Sequence, residues 1–316
     1  FAYYCKHYIG RPSPLYYAEN LSNKLGGAKI LFKQEHLNHT GSHKITNSLF
    51  QVLLAKRMGK KNLICESGAG QHYSATAAVA AKFGIPLIGV MGEVDIKRVN
   101  QNIIKAKHYG AKLKAVPGTL KEAITDAIKT WITNPDYYYV CGSAVSSFPF
   151  PKIVQFAQSI IGKEIREQCL EQEKKLPNMI IGCVGGGSNF IGSIHEFLDE
   201  TSIKKIGVEA AETAALTHGT PNIMQGMKSY MLASSDGSKS LGGSSLGAGI
   251  QYFGVGPQHS YLKDQGAVTY TSATDKEILN AYKVVAQTEG ISSALEPMAA
   301  AAEVLKQAKG KPKDFI

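Results

Sequence analysis

Residues 62–91, NLICESGAGQHYSATAAVAAKFGIPLIGVM, predict a buried strand, a glycine-rich turn, an alanine-rich helix and a second buried strand in succession. The alternation of short apolar runs with helical segments continues to Cys141 and resumes from Pro151 to Glu209. Continuous apolar strands joined by helices of about a dozen residues are typical of parallel sheets covered on both faces. The sequence therefore predicts an α/β fold.

The composition is that of an ordered globular protein. Of the 316 residues, 44% are hydrophobic and 19% are charged, a balance that excludes extensive disorder. The apolar stretch 74–92 is interrupted by Lys82 and Pro86, so the sequence predicts no membrane span. The five cysteines are scattered without a Cys-x-x-Cys pair, and no signal peptide is visible. We therefore expect a cytoplasmic protein without a disulfide framework or a structural zinc site.

The positive charge lies in the first half of the chain. Residues 1–150 hold 19 Lys and Arg against 8 Asp and Glu, whereas residues 151–316 hold 16 against 17. Nucleic-acid-binding proteins usually cluster basic residues among aromatic ones, and here the lysines are spread out. The charge therefore favours an anionic small molecule or an acidic protein partner over a nucleic acid.

The first candidate site is the segment 39–47, HTGSHKITN. Apolar residues at helical spacing follow it, so Lys44 is predicted in the first turn of a helix. A helix N-terminus carries partial positive charge, so burial there favours the neutral amine that Schiff-base chemistry requires. The alternative is a surface lysine next to the capping residue Ser42.

The second candidate site is the segment 66–72, ESGAGQH, between a strand and a helix. Its glycines let backbone N–H groups approach a ligand, and the start of the next helix suits a carboxylate. Glu66 at the end of the strand is a candidate acid or base. The alternative is a tight turn with Glu66 in solvent.

The third candidate site is the segment 185–189, GGGSN, which follows a strand and precedes a helix. Its successive N–H groups suit a phosphate, although it matches neither a P-loop nor a dinucleotide fingerprint. A plain turn is the alternative. A lysine at a helix start, a loop for a carboxylate and a loop for a phosphate together predict pyridoxal phosphate acting on an amino acid.

Several segments resemble the signature segments of the tryptophan synthase β-subunit family. In chain order they are RPSPL (11–15), LNHTGSHKI (37–45), ESGAGQH (66–72), CVGGGSN (183–189), GVGPQH (254–259) and TEGI (288–291). The resemblance runs across nearly the whole chain. It implies a fold type II pyridoxal-phosphate enzyme with two intertwined three-layer α/β domains and mainly parallel sheets.

The resemblance also implies a domain division. Residues 1–150 form an N-terminal α/β domain with the cofactor lysine and a mobile subdomain, and some N-terminal residues pack on the second domain. Residues 151–316 form a C-terminal α/β domain with the phosphate-binding glycine loop.

The same resemblance implies roles for site residues. Lys44 forms a Schiff base with the cofactor and moves the α-proton, while Glu66 assists loss of the serine hydroxyl and then takes the N1 proton of indole. The serine carboxylate binds the loop Ser67, Gly68, Ala69, Gly70, Gln71 and His72. The cofactor-binding residues are His43, Lys44, Gly185, Gly186, Gly187, Ser188, Asn189 and Glu289. A monovalent cation, Na⁺ or K⁺, binds near Val184, Gly185, Tyr270 and Ser272.

The implied activity is the condensation of L-serine and indole to L-tryptophan and water. The implied partners are a second copy of the chain and a tryptophan synthase α subunit in an α2β2 assembly, with no nucleic acid or membrane. Two alternatives stay open: another fold type II β-replacement or dehydratase enzyme, and a weakly active β-like subunit that activates a partner. Glu66 argues against the first, since a nucleophile without an N–H has no use for its carboxylate.

The chain departs from the family pattern in places. Thr269 stands where the family has an acidic residue that pairs with an arginine, here Arg98, when the site closes; this departure is the main support for the second alternative. Residues 146–151, SSFPFP, replace the usual GPHPYP, so the wall of the indole pocket is expected to differ. The family's C-terminal segment with the serine that faces the pyridine nitrogen does not follow Ile316.

Overall fold

The computed structural model describes residues 1–234, 241, 243–311 and 314–316. The chain forms two compact units and passes between them more than once. The first unit contains Phe1–Pro12 and Glu35–Gly142, and the second contains Ser13–Gln34 and Ser143–Ile316. The last crossing therefore falls at residues 142–143, whereas the sequence predicts a boundary after residue 150. The mobile character of part of the first domain stays a prediction.

Strands and helices alternate along most of the chain. The strands are β1 (Leu15–Tyr17), β2 (Leu31–Lys33), β3 (Asn62–Glu66), β4 (Leu87–Gly92), β5 (Lys112–Val116), β6 (Tyr137–Tyr139), β7 (Met179–Cys183), β8 (Lys204–Ala210), β9 (Thr220–Met224), β10 (Met227–Met231) and β11 (Thr269–Ala273). The α-helices are α1 (Ala2–Tyr4), α2 (Glu19–Leu25), α3 (Lys44–Arg57), α4 (Gln71–Phe83), α5 (Glu93–Ile96), α6 (Gln101–His108), α7 (Leu120–Thr133), α8 (Phe150–Gln158), α9 (Ile160–Glu173), α10 (Ser188–Ile194), α11 (Ala215–His218), α12 (Pro257–Asp264), α13 (Asp275–Glu289) and α14 (Glu296–Gln307). Across the ranges described, no helix combines the length and the apolar character needed to cross a bilayer.

The sheet of the first unit has four parallel strands in the order β5-β4-β3-β6. Strand β3 lies inside this sheet, and its Leu63, Ile64 and Cys65 are fully buried, as a continuous apolar run requires. Helices α4 and α7 pack on the strands. Because β3 and β6 are parallel, Glu66 and the residues that follow β6 lie at the same edge of the sheet.

The sheet of the second unit has three parallel strands in the order β11-β8-β7. Its core contains Ile206 and Val208 from β8, with Ala281 from α13 and Ala299 from α14. Two antiparallel pairs, β1 with β2 and β9 with β10, belong to the same unit. The α/β fold with mainly parallel sheets, which the alternating pattern predicts, is confirmed.

The sequence pattern predicts one continuous helix over 96–108 and another from Pro151 to about Lys174, and the structure interrupts both. The segment 96–108 contains the end of α5 and all of α6, and residues 97–100 separate them. The segment after Pro151 divides at Ser159, which ends α8 and precedes α9. The Ser159 hydroxyl donates to the carbonyl of Phe156 at 2.8 Å. A serine hydroxyl that bonds to the preceding turn competes with helical hydrogen bonds, and hydropathy patterns do not register this competition.

Ser146 carries local backbone strain. Its φ is +79°, it is buried, and its hydroxyl oxygen has no hydrogen-bond partner within the described part of the chain. A side chain in this left-handed region and a buried polar atom without a partner both cost free energy. We therefore expect Ser146→Gly to raise the free energy of unfolding by about 1 kcal/mol in urea denaturation. The neighbouring Ser147→Gly should lower it, and a Ser146→Gly protein no more stable than the wild type would contradict the strain.

Candidate active site

Lys44 begins helix α3, as the sequence predicts. It is partly buried, and its Nζ donates to the carbonyl oxygen of Gly142 at 2.5 Å. Its backbone N–H donates to the Ser42 hydroxyl at 3.3 Å. The amine is therefore held against the backbone that follows β6, which the alternative of a surface lysine does not require.

Buried polar side chains hold this end of α3. The Arg11 Nε donates to Thr46 Oγ1 at 3.0 Å, and its guanidinium pairs with Glu35. Asn47 Nδ2 and Gln51 Nε2 each donate to the carbonyl of Cys141 at 2.8 Å. The helix that carries Lys44 is thus bonded to the residue next to its acceptor Gly142. The sequence predicted no role for Arg11, Asn47 or Gln51, although Arg11 lies in a recognised segment and Asn47 ends the candidate segment 39–47.

Glu66 ends strand β3 and is buried, with 4% of its surface exposed. Its Oε1 accepts the N–H of Gly142 at 2.7 Å, and the side chain of the fully buried Tyr139 also hydrogen-bonds to this carboxyl. Burial raises the pKa of this carboxyl to about 7. A tight turn with Glu66 in solvent is therefore excluded, and near neutral pH the group can both give and take a proton.

Gly142 connects the two candidate catalytic side chains. Its carbonyl accepts Lys44, and its N–H donates to Glu66. A Cβ at this position would lie 2.7 Å from Glu66 Oε1 and 2.8 Å from the His72 ring, so only glycine fits here. The sequence analysis missed Gly142. Its position directly after a strand, at the edge where Glu66 lies, is the signal that could have found it.

The loop 67–72 turns from β3 into α4. Gly70 has a φ of +75° and precedes the first helical residue, Gln71. Asn102 Nδ2 donates to the carbonyl of Ala69 at 2.9 Å, which ties the loop to α6. The Gln71 Oε1 is buried without a hydrogen-bond partner within the described ranges. The N-terminus of this helix of 13 residues favours an anion.

The two histidines of the candidate site are neutral at pH 7. Burial lowers the pKa of His72 to about 3, and its Nε2–H donates to the carbonyl of Val140 at 2.8 Å. Burial also lowers the pKa of His43 well below its ordinary value, with Lys44 and Arg11 contributing. The other ring nitrogen of His72, Nδ1, lies 3.5 Å from the hydroxyls of Ser48 and Thr76, so both ring nitrogens face partners within the protein.

The glycine loop 185–189 lies in the second unit, between β7 and α10. A Cβ would lie 2.9 Å from the Ile250 Cα at Gly185, 2.4 Å from the Ser143 hydroxyl at Gly186 and 2.2 Å from the His259 ring at Gly187. All three glycines are therefore sterically required. Ser188 is the first residue of α10, and Asn189 Nδ2 donates to the carbonyl of Cys183 at 3.0 Å.

Glu289 lies at the C-terminal end of α13 and is partly buried. Its Oε2 accepts the Tyr16 hydroxyl at 2.7 Å, and its Oε1 accepts the N–H of Leu21 at 2.6 Å. Both carboxylate oxygens therefore accept hydrogen bonds from the N-terminal part of the second unit, one from β1 and one from α2. A role for Glu289 beside the cofactor ring stays a prediction.

The four residues named for a cation lie around strand β8. Val184 follows β7, and its N–H donates to the carbonyl of Val208 at 2.8 Å, with Gly185 next in the chain. Tyr270 and Ser272 lie in β11 and pair with Gly207 and Glu209 of β8. The cation site stays a prediction.

Comparisons with known proteins agree with this geometry. Residues 7–314 match the family described as pyridoxal-phosphate dependent enzyme. The tryptophan synthase beta chain of Allorhizobium ampelinum is 50% identical over 322 aligned residues, which cover 98% of this chain and 79% of that protein. The chain belongs to the tryptophan synthase beta-chain family. The recognition made from the signature segments is confirmed, as is the fold type II class.

Members of this pyridoxal-phosphate family need an amine for the aldehyde and a cradle for the phosphate, and the chain has residues that fit both needs. The Lys44 amine bonds to the carbonyl of Gly142, whose N–H bonds to the buried Glu66 carboxyl. The loop 185–187 provides backbone without side chains, where any Cβ would clash with its surroundings. As a member of this beta-chain family, the chain uses pyridoxal phosphate, and its enzyme class is that of a pyridoxal-phosphate lyase.

Within the first unit, the structure brings together Lys44, Glu66 and the loop 67–72 of this beta-chain homologue. Within the second unit, it places the loop 185–189 beside the end of β7. Thr269, which departs from the family pattern, is exposed at the start of β11.

Proposed function

We propose that this chain is a tryptophan synthase β chain, which condenses L-serine and indole to L-tryptophan and water. The observation that carries the proposal is that Lys44 and Glu66 both bond to the backbone of one residue, Lys44 to the carbonyl of Gly142 and Glu66 to its N–H. One group is an amine and the other a buried carboxyl with a pKa of about 7. A β-replacement with indole requires these two functions.

When bound, pyridoxal phosphate withdraws electrons from the α-carbon of the amino acid, so that its α-proton and its β-hydroxyl can leave. In this proposal Lys44 holds the cofactor and carries the α-proton. The residues Ser67 to His72 bind the serine carboxylate through the N-terminus of α4. Gly185, Gly186, Gly187, Ser188 and Asn189 bind the phosphate, His43 lies beside it, and Glu289 lies near the ring.

Glu66 is the residue that selects indole in this proposal. It gives a proton to the departing serine hydroxyl, and the resulting carboxylate then takes the proton from N1 of indole. A pKa of about 7 suits both transfers, because both protonation states are populated near neutral pH. The N–H of Gly142 holds Oε1 in place, and the Tyr139 side chain also bonds to this carboxyl.

Partners and location are part of the proposal. We expect a homodimer and an α subunit in an α2β2 assembly, and a monovalent cation near Val184, Gly185, Tyr270 and Ser272. The excess of basic residues before residue 150 suits an acidic protein surface. None of the five cysteines forms a disulfide, which agrees with a reducing, cytoplasmic compartment.

A spectroscopic titration tests the proposal. The protein loaded with pyridoxal phosphate should show the visible absorption band of a lysine-bound cofactor, which L-serine shifts and indole then restores as tryptophan accumulates. A band that ignores both substrates would leave cofactor binding in place and contradict the substrates. Turnover with sulfide but not with indole would favour another fold type II β-replacement enzyme.

The departure at Thr269, which stands where the family has an acidic residue, favours one further candidate, a weakly active β-like subunit that activates a partner. A wild-type protein without turnover, and a Lys44→Ala protein that stimulates an added α subunit fully, would support this candidate. Intact Lys44 and Glu66 geometry argues against it.

A further inference from the structure

A hydrogen-bonded chain of side chains holds the glycine loop 185–189 from the side of helix α12. The Nε2 of His259 bonds to the carbonyl oxygen of Gly187 at 2.8 Å, and its Nδ1 bonds to the hydroxyl of Tyr270 at 2.8 Å. His259 is fully buried in the first turn of α12. Sequence reasoning quoted His259 in a recognised segment and gave it no role.

The two hydrogen bonds fix the direction of donation. Burial lowers the pKa of His259 to about 4, so the imidazole is neutral and has one N–H. A carbonyl can only accept, so Nε2 carries the hydrogen toward Gly187 and Nδ1 accepts from Tyr270. The Tyr270 hydroxyl is protonated near neutral pH, as tyrosine hydroxyls ordinarily are, and its hydrogen faces Nδ1. The tyrosine therefore selects the histidine tautomer that the loop needs.

The surroundings of the pair are built from glycine and aromatic residues. Gly207 of β8 pairs with Tyr270 of β11, and a Cβ at Gly207 would lie 2.7 Å from the Tyr270 ring. The Phe190 ring stacks on the His259 ring, with centroids 6.0 Å apart and planes 7° apart. Gly182 of β7 leaves room for Phe190 in the same way. Both rings are thereby fixed in place.

Two successive carbonyls of the loop point toward α12. The N–H of Gly256, the residue before α12, donates to Gly186 O at 3.1 Å, and His259 donates to Gly187 O. In a trans peptide, the C=O of one residue and the N–H of the next point in opposite directions. The N–H groups of Gly187 and Ser188 therefore point away from α12. That is the orientation in which successive N–H groups bind an anion.

We propose that His259 and Tyr270 are positioning residues, which orient the Gly186–Gly187–Ser188 peptides to bind the phosphate of pyridoxal phosphate. The inference rests on the proposed function, because that function assigns the phosphate to this loop. It adds two residues that do not contact the phosphate. Their effect reaches the ligand only through the direction of two peptide groups.

The test compares pyridoxal phosphate with pyridoxal, which lacks the phosphate. Dissociation constants for both are measured by fluorescence titration of the full chain. Tyr270→Phe keeps the ring and removes one buried hydrogen bond, so it should raise the dissociation constant of pyridoxal phosphate about tenfold. The dissociation constant of pyridoxal should not change. His259→Leu should raise the dissociation constant of pyridoxal phosphate about a hundredfold, because the hydrogen-bond donor to the Gly187 carbonyl is lost.

The control variant is His259→Gln, whose Nε2 can still donate to Gly187 O. It should bind pyridoxal phosphate within about threefold of the wild type, a rescue expected if one donor positions the loop. The inference would be overturned if Tyr270→Phe and His259→Leu weakened the binding of both ligands equally. It would also be overturned if both variants bound pyridoxal phosphate as tightly as the wild type. A wild-type protein that binds neither ligand would instead overturn the proposed function, and with it the premise of this inference.

Discussion

Replacing Lys44 with alanine is expected to reduce tryptophan formation by about a thousandfold or more, since both the attachment of the cofactor and the transfer of the α-proton depend on this amine. Lys44 is the first residue of α3, and its amine lies 2.5 Å from the carbonyl oxygen of Gly142. Borohydride reduction followed by peptide mass mapping should find the cofactor on the peptide that contains Lys44 in the wild type, and on no peptide in the variant.

The matched control is Lys56→Ala. Lys56 lies in the last turn of the same helix and is exposed. This variant should keep wild-type turnover and the cofactor on Lys44. Undiminished turnover in Lys44→Ala, or a reduced cofactor on another lysine of the wild type, would contradict the role given to Lys44.

The second large effect is expected for Glu66→Gln. Glutamine can still accept the Gly142 N–H through Oε1, so the fold is retained while the acid and base function is lost. Turnover with indole should fall about 10²- to 10⁴-fold, the usual contribution of a positioned acid or base. Steady-state kinetics with L-serine and either indole or a thiol separate the two uses of Glu66. The loss with indole should exceed the loss with the thiol, which arrives without an N–H to remove.

The pH dependence follows from the raised pKa of Glu66. Since the protonated carboxyl must give a proton to the serine hydroxyl and only the carboxylate can take the indole proton, and the pKa is about 7, turnover with indole should be highest near pH 7. It should decrease toward about tenfold per pH unit above pH 7, where the proton donor is lost, and on the acid side, where the base is lost. This acid limb should disappear from the residual activity of Glu66→Gln. Glu93 is exposed in the same unit, so Glu93→Gln is the control and should show the same decrease in turnover at acid pH as the wild type. A wild-type profile that is flat between pH 5.5 and about 8 would contradict the assignment.

Much of the fold could be predicted from the sequence because its parallel strands are continuous apolar runs. The apolar runs 112–116, 62–65 and 86–91 predict three strands. The first has the observed bounds of β5, and the other two lie within one residue of the ends of β3 and β4. The division at Ser159 could not be predicted, because it depends on one hydroxyl bonding to a carbonyl in the preceding turn. Such a bond leaves the apolar periodicity unchanged.

The candidate site was predictable where its residues follow strands. Lys44 and Glu66 lie at junctions of strand, loop and helix, and an amine and a carboxyl at such positions are recognisable as candidate catalytic groups from the residue type alone. Gly142 and the Gly186–Gly187 carbonyls act through the backbone, which has no signature in the residue types. The role of His259 depends on a tautomer that Tyr270 selects, and the two residues are brought together only by the pairing of β8 with β11.

The central claim is that this chain joins the β-carbon of L-serine to indole. The direct test is ¹³C NMR of the loaded wild-type protein incubated with indole and L-serine labelled at C3. We expect the label to appear in the β-methylene carbon of tryptophan with the wild type, and no labelled tryptophan with Lys44→Ala. The claim would be contradicted if the label appeared in pyruvate in place of tryptophan. It would also be contradicted if the labelled serine stayed unconverted although the cofactor is bound to Lys44.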